Sequence, residues 1–384
     1  MDSQNDKALL PAGLQDLLPP EAAREAATGE ALLACLAAQG YERVKPPLIE
    51  FEEALLSGAG AALAKQTFRL MDPVSQRMMG LRADITTQVA RIAESRLAGA
   101  PRPLRLCYAG QILRIRGSQL RPERQFGQAG AELIGVDSAA AEAELILLAW
   151  EALSAVGAAE LSVDLTLPTL VPLLVEALPL DATAGRELRH ALDRKDAAEV
   201  ERLAGPEGAP LVALLRATGP AAAAVAALRK LSLPEAARDK IERLAEVVAL
   251  LDAAAPGLTV TVDPVEHRGF EYQTGLSFVV FARGVRGELG RGGRYQIERR
   301  DGAGEPAVGF TLYMDTVLRA APPGPEPRKL FLPAGTDPAL ARKLREDGWV
   351  TLAGLDPAAD AAQEAKRLGC GHILLAGEVR ALEE

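Results

Sequence analysis

Cysteine, histidine and positive charge are scarce in this chain, and each shortage removes a class of explanation. The three cysteines, Cys35, Cys107 and Cys370, are odd in number and far apart. They argue against a disulfide framework and for a reducing, cytoplasmic setting. The three histidines, His190, His267 and His372, leave no Cys/His cluster with zinc spacing, so no metal or other cofactor is expected. No apolar run reaches membrane-spanning length, and the opening MDSQNDKALLP lacks a signal-peptide core, so no membrane association is expected. The formal net charge is −9 and the pI is near 5.2, against broad nucleic-acid binding but compatible with a local basic patch. No Ser/His/Asp or Cys/His arrangement stands out as a nucleophilic centre, and His267 beside Arg268 reads as a strand-end surface residue.

What is present fits an ordinary globular protein. The 384 residues are 48% hydrophobic and 25% charged, enough for two or three domains. Residues 20–39 are rich in Ala, Leu and Glu and predict a helix closed by Gly40. Pro46 and Pro47 make 41–49 extended. A hairpin is predicted over 67–82, turning near Asp72 and Pro73. A helix follows over 84–98, with Asp84 or Thr86 as its N-cap. Two strand-like runs, RLCYAGQILRI and QFGQAGAELIGV, precede a strong helix over 139–156. From about 165 to 256 the chain is Ala/Leu/Glu/Arg-rich and nearly free of aromatics, which predicts a helical insertion. Strand patterns return at 258–263 and 269–281. The Gly-rich run 284–295 lacks both a G-K-[ST] ending and a G-x-G-x-x-G between strand and helix, so it reads as a tight turn. Residues 306–320 read as a strand running into a helix. A Pro-rich linker, 321–328, then leads to a small module over 329–384 with a βαβαβ pattern. Strands and helices interleave with hairpins, so the expected class is α+β: an antiparallel sheet flanked by helices, with a helical insertion and a small C-terminal α/β module. The first domain is placed at 1–320.

One stretch, residues 105–132, runs against the acidic balance. It holds Arg105, Arg114, Arg116, Arg121 and Arg124 against only Glu123 and Glu132. Guanidinium forks bind phosphate and carboxylate bidentately, so such a cluster points to an anion or a partner, although loop arginines are often merely solvated. Arg114 and Arg116 are placed on a strand, two apart and on one face. With Asp84, Thr86 and Glu132 they make a polar sheet face, which a buried sheet does not carry without a ligand or partner.

The order of these pieces resembles the catalytic domain of histidyl-tRNA synthetases, class II aminoacyl-tRNA synthetases. The resemblance runs from about 8 to 320. It rests on PAGLQDLLP (11–19), GYERVKPPLIE (40–50), LRADITTQVARI (81–92), LRIRG (113–117), RPERQFGQAGAELIG (121–135), HRGFEYQTG (267–275), GRGGRY (290–295) and AVGFTLYMDTV (307–317). The last module resembles a shortened anticodon-binding domain. The resemblance implies a histidine pocket of Asp84, Thr86, Gln128, Glu132, Arg268, Tyr272 and Tyr295, with Gln273 where the family has a second tyrosine. It places the α-phosphate arginine of the family on Arg114. The glutamate that reads the adenine end is Arg116, the γ-phosphate arginine is Thr316, and a small glycine is Tyr313. Loss of a phosphate donor and a phenol in its channel imply that adenylation is lost.

A synthetase-like chain with a vestigial ATP site is similar to the paralogues that serve as regulatory subunits of ATP phosphoribosyltransferase. That resemblance implies no catalysis by the chain itself. It implies a short-form catalytic subunit as partner, a homodimer within a hetero-octamer-like complex, histidine as effector, and no tRNA binding. An authentic histidyl-tRNA synthetase, a class II-like amino-acid ligase and a tRNA-binding module stand as alternatives; the first two require the ATP site.

Overall fold

Ala, Leu and Glu dominate residues 21–38, and these form the first helix, α1 (Glu21–Ala38). Gly40, at φ +85°, reverses the chain after it. The computed structural model describes residues 9–118, 121–266, 272–298 and 302–382. The chain divides into two units, Met1–Pro322 and Pro323–Glu384.

In the first unit α1 leads to β1 (Glu42–Arg43), β2 (Ile49–Phe51), α2 (Glu52–Leu55), β3 (Arg69–Met71) and β4 (Met78–Leu81). Strands β2, β4 and β3 form a small antiparallel sheet. The β3–β4 turn is held by Asp72, whose carboxylate accepts from the backbone N–H of Val74 and Ser75, both at 3.1 Å. Next come α3 (Thr86–Ser95), β5 (Leu104–Leu113), β6 (Gln125–Ile134), α4 (Ala139–Ala155) and β7 (Leu161–Thr166). The insertion is α5 (Leu170–Glu176), α6 (Ala182–Asp193), α7 (Ala197–Ala204), α8 (Ala209–Arg216), β8 (Gly219–Pro220), α9 (Ala221–Leu228) and α10 (Glu235–Ala254). The unit closes with β9 (Thr259–Val262), β10 (Gln273–Ala282), β11 (Gly290–Glu298), β12 (Gly304–Tyr313) and α11 (Met314–Ala320).

The principal sheet runs β1-β5-β6-β12-β11-β10-β7-β9-β8. Its centre, from β5 to β7, is antiparallel; β1–β5 and β7–β9 are parallel. This is an α+β architecture, and alternation along the strands divides the sheet into two unlike faces. One face carries Cys107, Ala129, Ala131, Leu133, Val308, Phe310 and Leu312 into a core shared with Leu32 and Leu36 of α1 and Leu145, Ile146 and Leu148 of α4. Each fully buried leucine there contributes about 2 kcal/mol. The other face carries Leu106, Tyr108, Ile112, Phe126, Ile134, Tyr295 and Tyr313 against Val89 and Ala93 of α3. Polar residues interrupt this second face.

The second unit holds β13 (Lys329–Leu332), α12 (Pro338–Glu346), β14 (Val350–Ala353), α13 (Ala361–Arg367), β15 (His372–Leu375) and β16 (Glu378–Ala381). The order is β14-β13-β15-β16, parallel except for the last pair. Asp337 and Asp360 cap the two helices by accepting from Ala339, Ala362 and Gln363. Strand β16 is an addition to the expected βαβαβ pattern. It forms because Ala376 and Gly377 both adopt positive φ and close a two-residue hairpin.

Three local expectations are corrected. Ile85, not Asp84 or Thr86, is the N-cap of α3, and the helix stops at Ser95. Strand β5 ends at Leu113, so Arg114 and Arg116 leave the sheet and do not share a strand face. Gly290, Gly292 and Gly293 lie inside β11, not in the turn before it. A Cβ at Gly290 would stand 2.4 Å from the Thr311 carbonyl oxygen, and one at Gly292 would stand 2.4 Å from that of Gly309. These glycines mark close strand approach.

Gly309→Ala is predicted to cost more than about 3 kcal/mol, because its Cβ would fall 1.6 Å from Glu132 Oε2. Gly29→Ala, in α1 with no atom near its would-be Cβ, is predicted to stabilise by about 0.5–1 kcal/mol. Urea melts of the two variants check both signs.

Candidate functional site

The second face of the sheet becomes polar where β6 presents Gln128 and Glu132. The two side chains are four residues apart, on one face, and wholly buried. A buried carboxylate ordinarily takes a cation. Among the described residues no guanidinium or ammonium pairs with Glu132. Hydroxyls surround it instead. Tyr295 Oη donates to Oε2 at 2.9 Å and Tyr108 Oη to Oε1 at 3.3 Å. Tyr108 Oη also lies 2.8 Å from Thr311 Oγ1 and 3.0 Å from Thr86 Oγ1. Two glycines make the space. Gly309 is in register opposite Glu132, and a Cβ at Gly130 would fall 2.6 Å from Tyr108 Oη.

Burial lifts the Glu132 carboxyl to about 8; the bonds from Thr86, Tyr295 and Tyr108 oppose the shift and the nearby Asp84 charge adds to it. The group is therefore protonated at neutral pH in the ligand-free chain. Burial, reinforced by the Glu132 charge, also holds the phenols of Tyr108 and Tyr295 well above their ordinary value.

Gln128 belongs to the same site through different contacts. Its Oε1 accepts from the Ile85 backbone N–H at 3.1 Å, and its Nε2 donates to Asp84 Oδ2 at 2.9 Å. The other Asp84 oxygen accepts from the Thr86 backbone N–H at 2.9 Å. The start of α3 is thus latched to β6, with Asp84 partly exposed at the mouth of the site. Tyr272 stands edge-on to Tyr295 with ring centroids 6.0 Å apart, and burial raises its phenol. Gln273 is in register opposite Tyr295, and its Oε1 accepts from Ser277 Oγ. Arg268, His267 and Glu271 lie outside the described residues.

The structure therefore brings Asp84, Thr86, Gln128, Glu132, Tyr272 and Tyr295 into one cluster. It does not gather the five arginines around one anion. Arg105 pairs in a fork with Glu144, its Nε and Nη2 each 3.0 Å from a carboxylate oxygen. Arg121 bridges to Asp315 at 3.1 Å, and Arg124 donates to the Ala12 and Arg114 carbonyls. Arg116 is exposed. Arg114 reaches the start of α3 at the edge of the site. Its Nε donates to the Ala83 carbonyl at 3.3 Å and its guanidinium stands 5.2 Å from the Phe126 ring centre.

Beyond Arg114 the groove is filled. The buried Tyr313 ring meets Phe126 edge-on at 6.0 Å and lies 3.9 Å beneath the Arg121 guanidinium. Thr316 is buried and donates its hydroxyl to the Tyr313 carbonyl at 3.0 Å. Where the family resemblance puts a phosphate channel, this chain has a packed phenol capped by an ion pair.

Sequence reasoning missed Tyr108, Thr311 and the Arg121–Asp315 pair. The available signal was glycine inside strand patterns, at Gly130 and Gly309, which marks a large group from a neighbouring strand.

The histidyl-tRNA synthetase family model matches residues 13–317. An ATP phosphoribosyltransferase regulatory subunit of Rhodospirillum centenum is 60% identical over 98% of this chain and 97% of its own length. One from Paramagnetospirillum magneticum is 58% identical over 97% and 98%. A Bacillus halodurans structure described as an ATP phosphoribosyltransferase regulatory subunit/histidyl-tRNA synthetase superposes with a TM-score of 0.80 at 24% identity, over 94% of this chain and 96% of that one. Histidyl-tRNA synthetase from Nostoc sp. PCC 7120 gives 0.79 at 18% identity, over 97% and 92%. These structural likenesses establish the synthetase fold. No helix among the described residues is long and apolar enough to cross a membrane.

The folded chain holds the Glu132 proton up to about pH 8, whereas an unfolded chain releases it near the ordinary 4.5. The stability this group contributes is full below pH 4.5 and is lost as pH rises to about 8, at up to about 1.4 kcal/mol per pH unit. Urea melts of the ligand-free chain should show that decline, and Glu132→Gln should flatten it. Equal slopes in the two chains would contradict the assignment.

Proposed function

We propose a histidine-sensing role for this chain, which belongs to the histidyl-tRNA synthetase family and, within it, to the ATP phosphoribosyltransferase regulatory subunits. It is the regulatory subunit of ATP phosphoribosyltransferase. In the proposed role it binds a short-form catalytic subunit, raises that enzyme's turnover, and carries feedback inhibition by histidine in the first step of histidine biosynthesis. The assembly is a homodimer held within a larger hetero-oligomer.

The observation that carries the reading is the buried Glu132, whose partners among the described residues are hydroxyls, beside the Gln128–Asp84 pair. Glu132 would take the imidazole, and Gln128 with Asp84 the amino group. A neutral carboxyl facing an imidazole can pass its proton to the ring nitrogen, which leaves an ion pair in a site that excludes water. Tyr295 and Tyr108 then donate to the carboxylate so formed. Arg268, Thr86 and Tyr272 complete the proposed pocket. Arg114 and Arg116 would be remnants of an ATP site, with Arg114 alone placed to meet a ligand carboxylate. Feedback requires that histidine bind one state of the complex more tightly than the other.

The packed Tyr313 and the Thr316 hydroxyl support a non-catalytic reading, since adenylation needs a cation at the γ-phosphate. The C-terminal unit supports the absence of tRNA binding: from 323 to 384 it carries eight Lys/Arg against ten Asp/Glu.

Mixing the chain with a short-form phosphoribosyltransferase should produce a stable complex on size-exclusion chromatography and raise turnover. Separate elution with unchanged turnover would defeat the proposal. Glu132→Ala should weaken histidine inhibition of that complex by about 10- to 100-fold, and an unchanged inhibition constant would move the effector site elsewhere. Histidine-dependent ATP–pyrophosphate exchange should be absent; turnover in that assay would favour the synthetase reading.

A further inference from the structure

Arg294 follows the strand that carries Tyr295 but faces the opposite side of the sheet, where it is 8% exposed. Its Nε donates to Glu142 Oε1 on α4 at 3.0 Å, and Nη1 pairs with Asp137 just before that helix. The same two acids take a second cation from the insertion. Arg243 on α10 donates through Nε to Glu142 Oε2 at 2.9 Å and lies 2.7 Å from Asp137 through Nη1. Glu246, also on α10, adds a nearby negative charge to this cluster.

Arg294 also sits at an irregularity. Between β10 and β11 the register pairs Gln273 with Tyr295 and Ser277 with Gly293. Thr274, Gly275 and Leu276 therefore face Arg294 alone, and β10 bulges. A Cβ at Gly275 would fall 2.7 Å from Arg294 Cδ and 2.9 Å from its Nε. The guanidinium stem occupies the space that the bulge leaves, and the bulge sets where Tyr272 and Gln273 stand beside Tyr295.

We infer that Arg294 is a positioning residue for this bulge, and that Glu142 and Arg243 tie the bulge to α10, so that the helical insertion and the Tyr272–Gln273 edge of the site move as one body. Buried ion networks are commonly no more stable than apolar replacements, so stability alone is a weak reason to keep this one. Its specific product is a fixed distance from α10 through α4 to β10. The inference deepens the histidine-sensing reading and rests on it for the ligand. The link itself is independent of that reading.

The test uses the full chain with Arg243→Met, which leaves the Arg294–Glu142 bond in place, and Arg243→Lys as the conservative partner. Hydrogen exchange of the 272–277 amides should rise by at least about threefold in Arg243→Met. Exchange of β6 should be unchanged, and Arg243→Lys should restore protection in part. Histidine titration of Arg243→Met, run well below its melting temperature, should show up to about tenfold weaker binding. Native exchange at 272–277 in Arg243→Met would overturn the inference. If exchange responds while the native chain takes up no histidine, the positioning link stands and the sensing role fails.

Discussion

The burial of one carboxyl, with no cation beside it among the described residues, organises the site. Glu132 sits mid-sheet, and the described chain offers it only hydroxyls. That choice determines its neighbours. Tyr108 must cross beneath Gly130, Tyr295 must reach in from β11, and Gly309 must lack a side chain. It also sets the charge state. Burial keeps the carboxyl protonated near neutrality, and a ligand that brought positive charge or a basic nitrogen would favour its ionised form. An enzyme site that held its own cation would be already neutralised and would gain less from a cationic ligand.

The part of the face beyond Gln128, where Tyr313 lies in register with it, is built on the opposite logic. Arg121 is neutralised by Asp315, Tyr313 fills the space, and Thr316 spends its hydroxyl on a backbone carbonyl. No long-range rearrangement is needed to account for the loss of adenylation. Two side chains occupy the channel and one ion pair caps it. In the proposed reading the part of the face around Glu132 takes a ligand, while Tyr313 and Thr316 are packed away beside it. Behind β11, Arg294, Glu142 and Arg243 join the sheet to the insertion, the part of the chain with the fewest aromatic residues.

Much of this was legible in the sequence, and the limits have physical causes. Helices α1 and α4 and the β5–β6 hairpin follow from local composition and period. Gln128 and Glu132 follow from the family resemblance that motif order carries, with Glu132 also expected on the partner strand of a polar sheet face. The failures arise where a contact spans the chain. Arg121 meets Asp315 across 194 residues, so no local pattern distinguishes it from a solvated loop arginine. Tyr108 and Thr311 meet across 203. The glycines of β11 were read as a turn because glycine serves both turns and close strand approach, and only the neighbouring strand decides between them. Arg114 and Arg116 were placed on a strand because their alternation continues that of β5, although the strand ends at Leu113.

The central claim is that a protonated Glu132 receives the imidazole of histidine. Titration of the native chain with ring-15N-labelled histidine at pH 7, read through the nitrogen shifts of the bound imidazole, tests it most directly. Saturable one-to-one binding is predicted, with the bound ring protonated in the native chain and neutral in Glu132→Gln. The same ring protonation state in native and variant chains, or no saturable binding at all, would contradict the account.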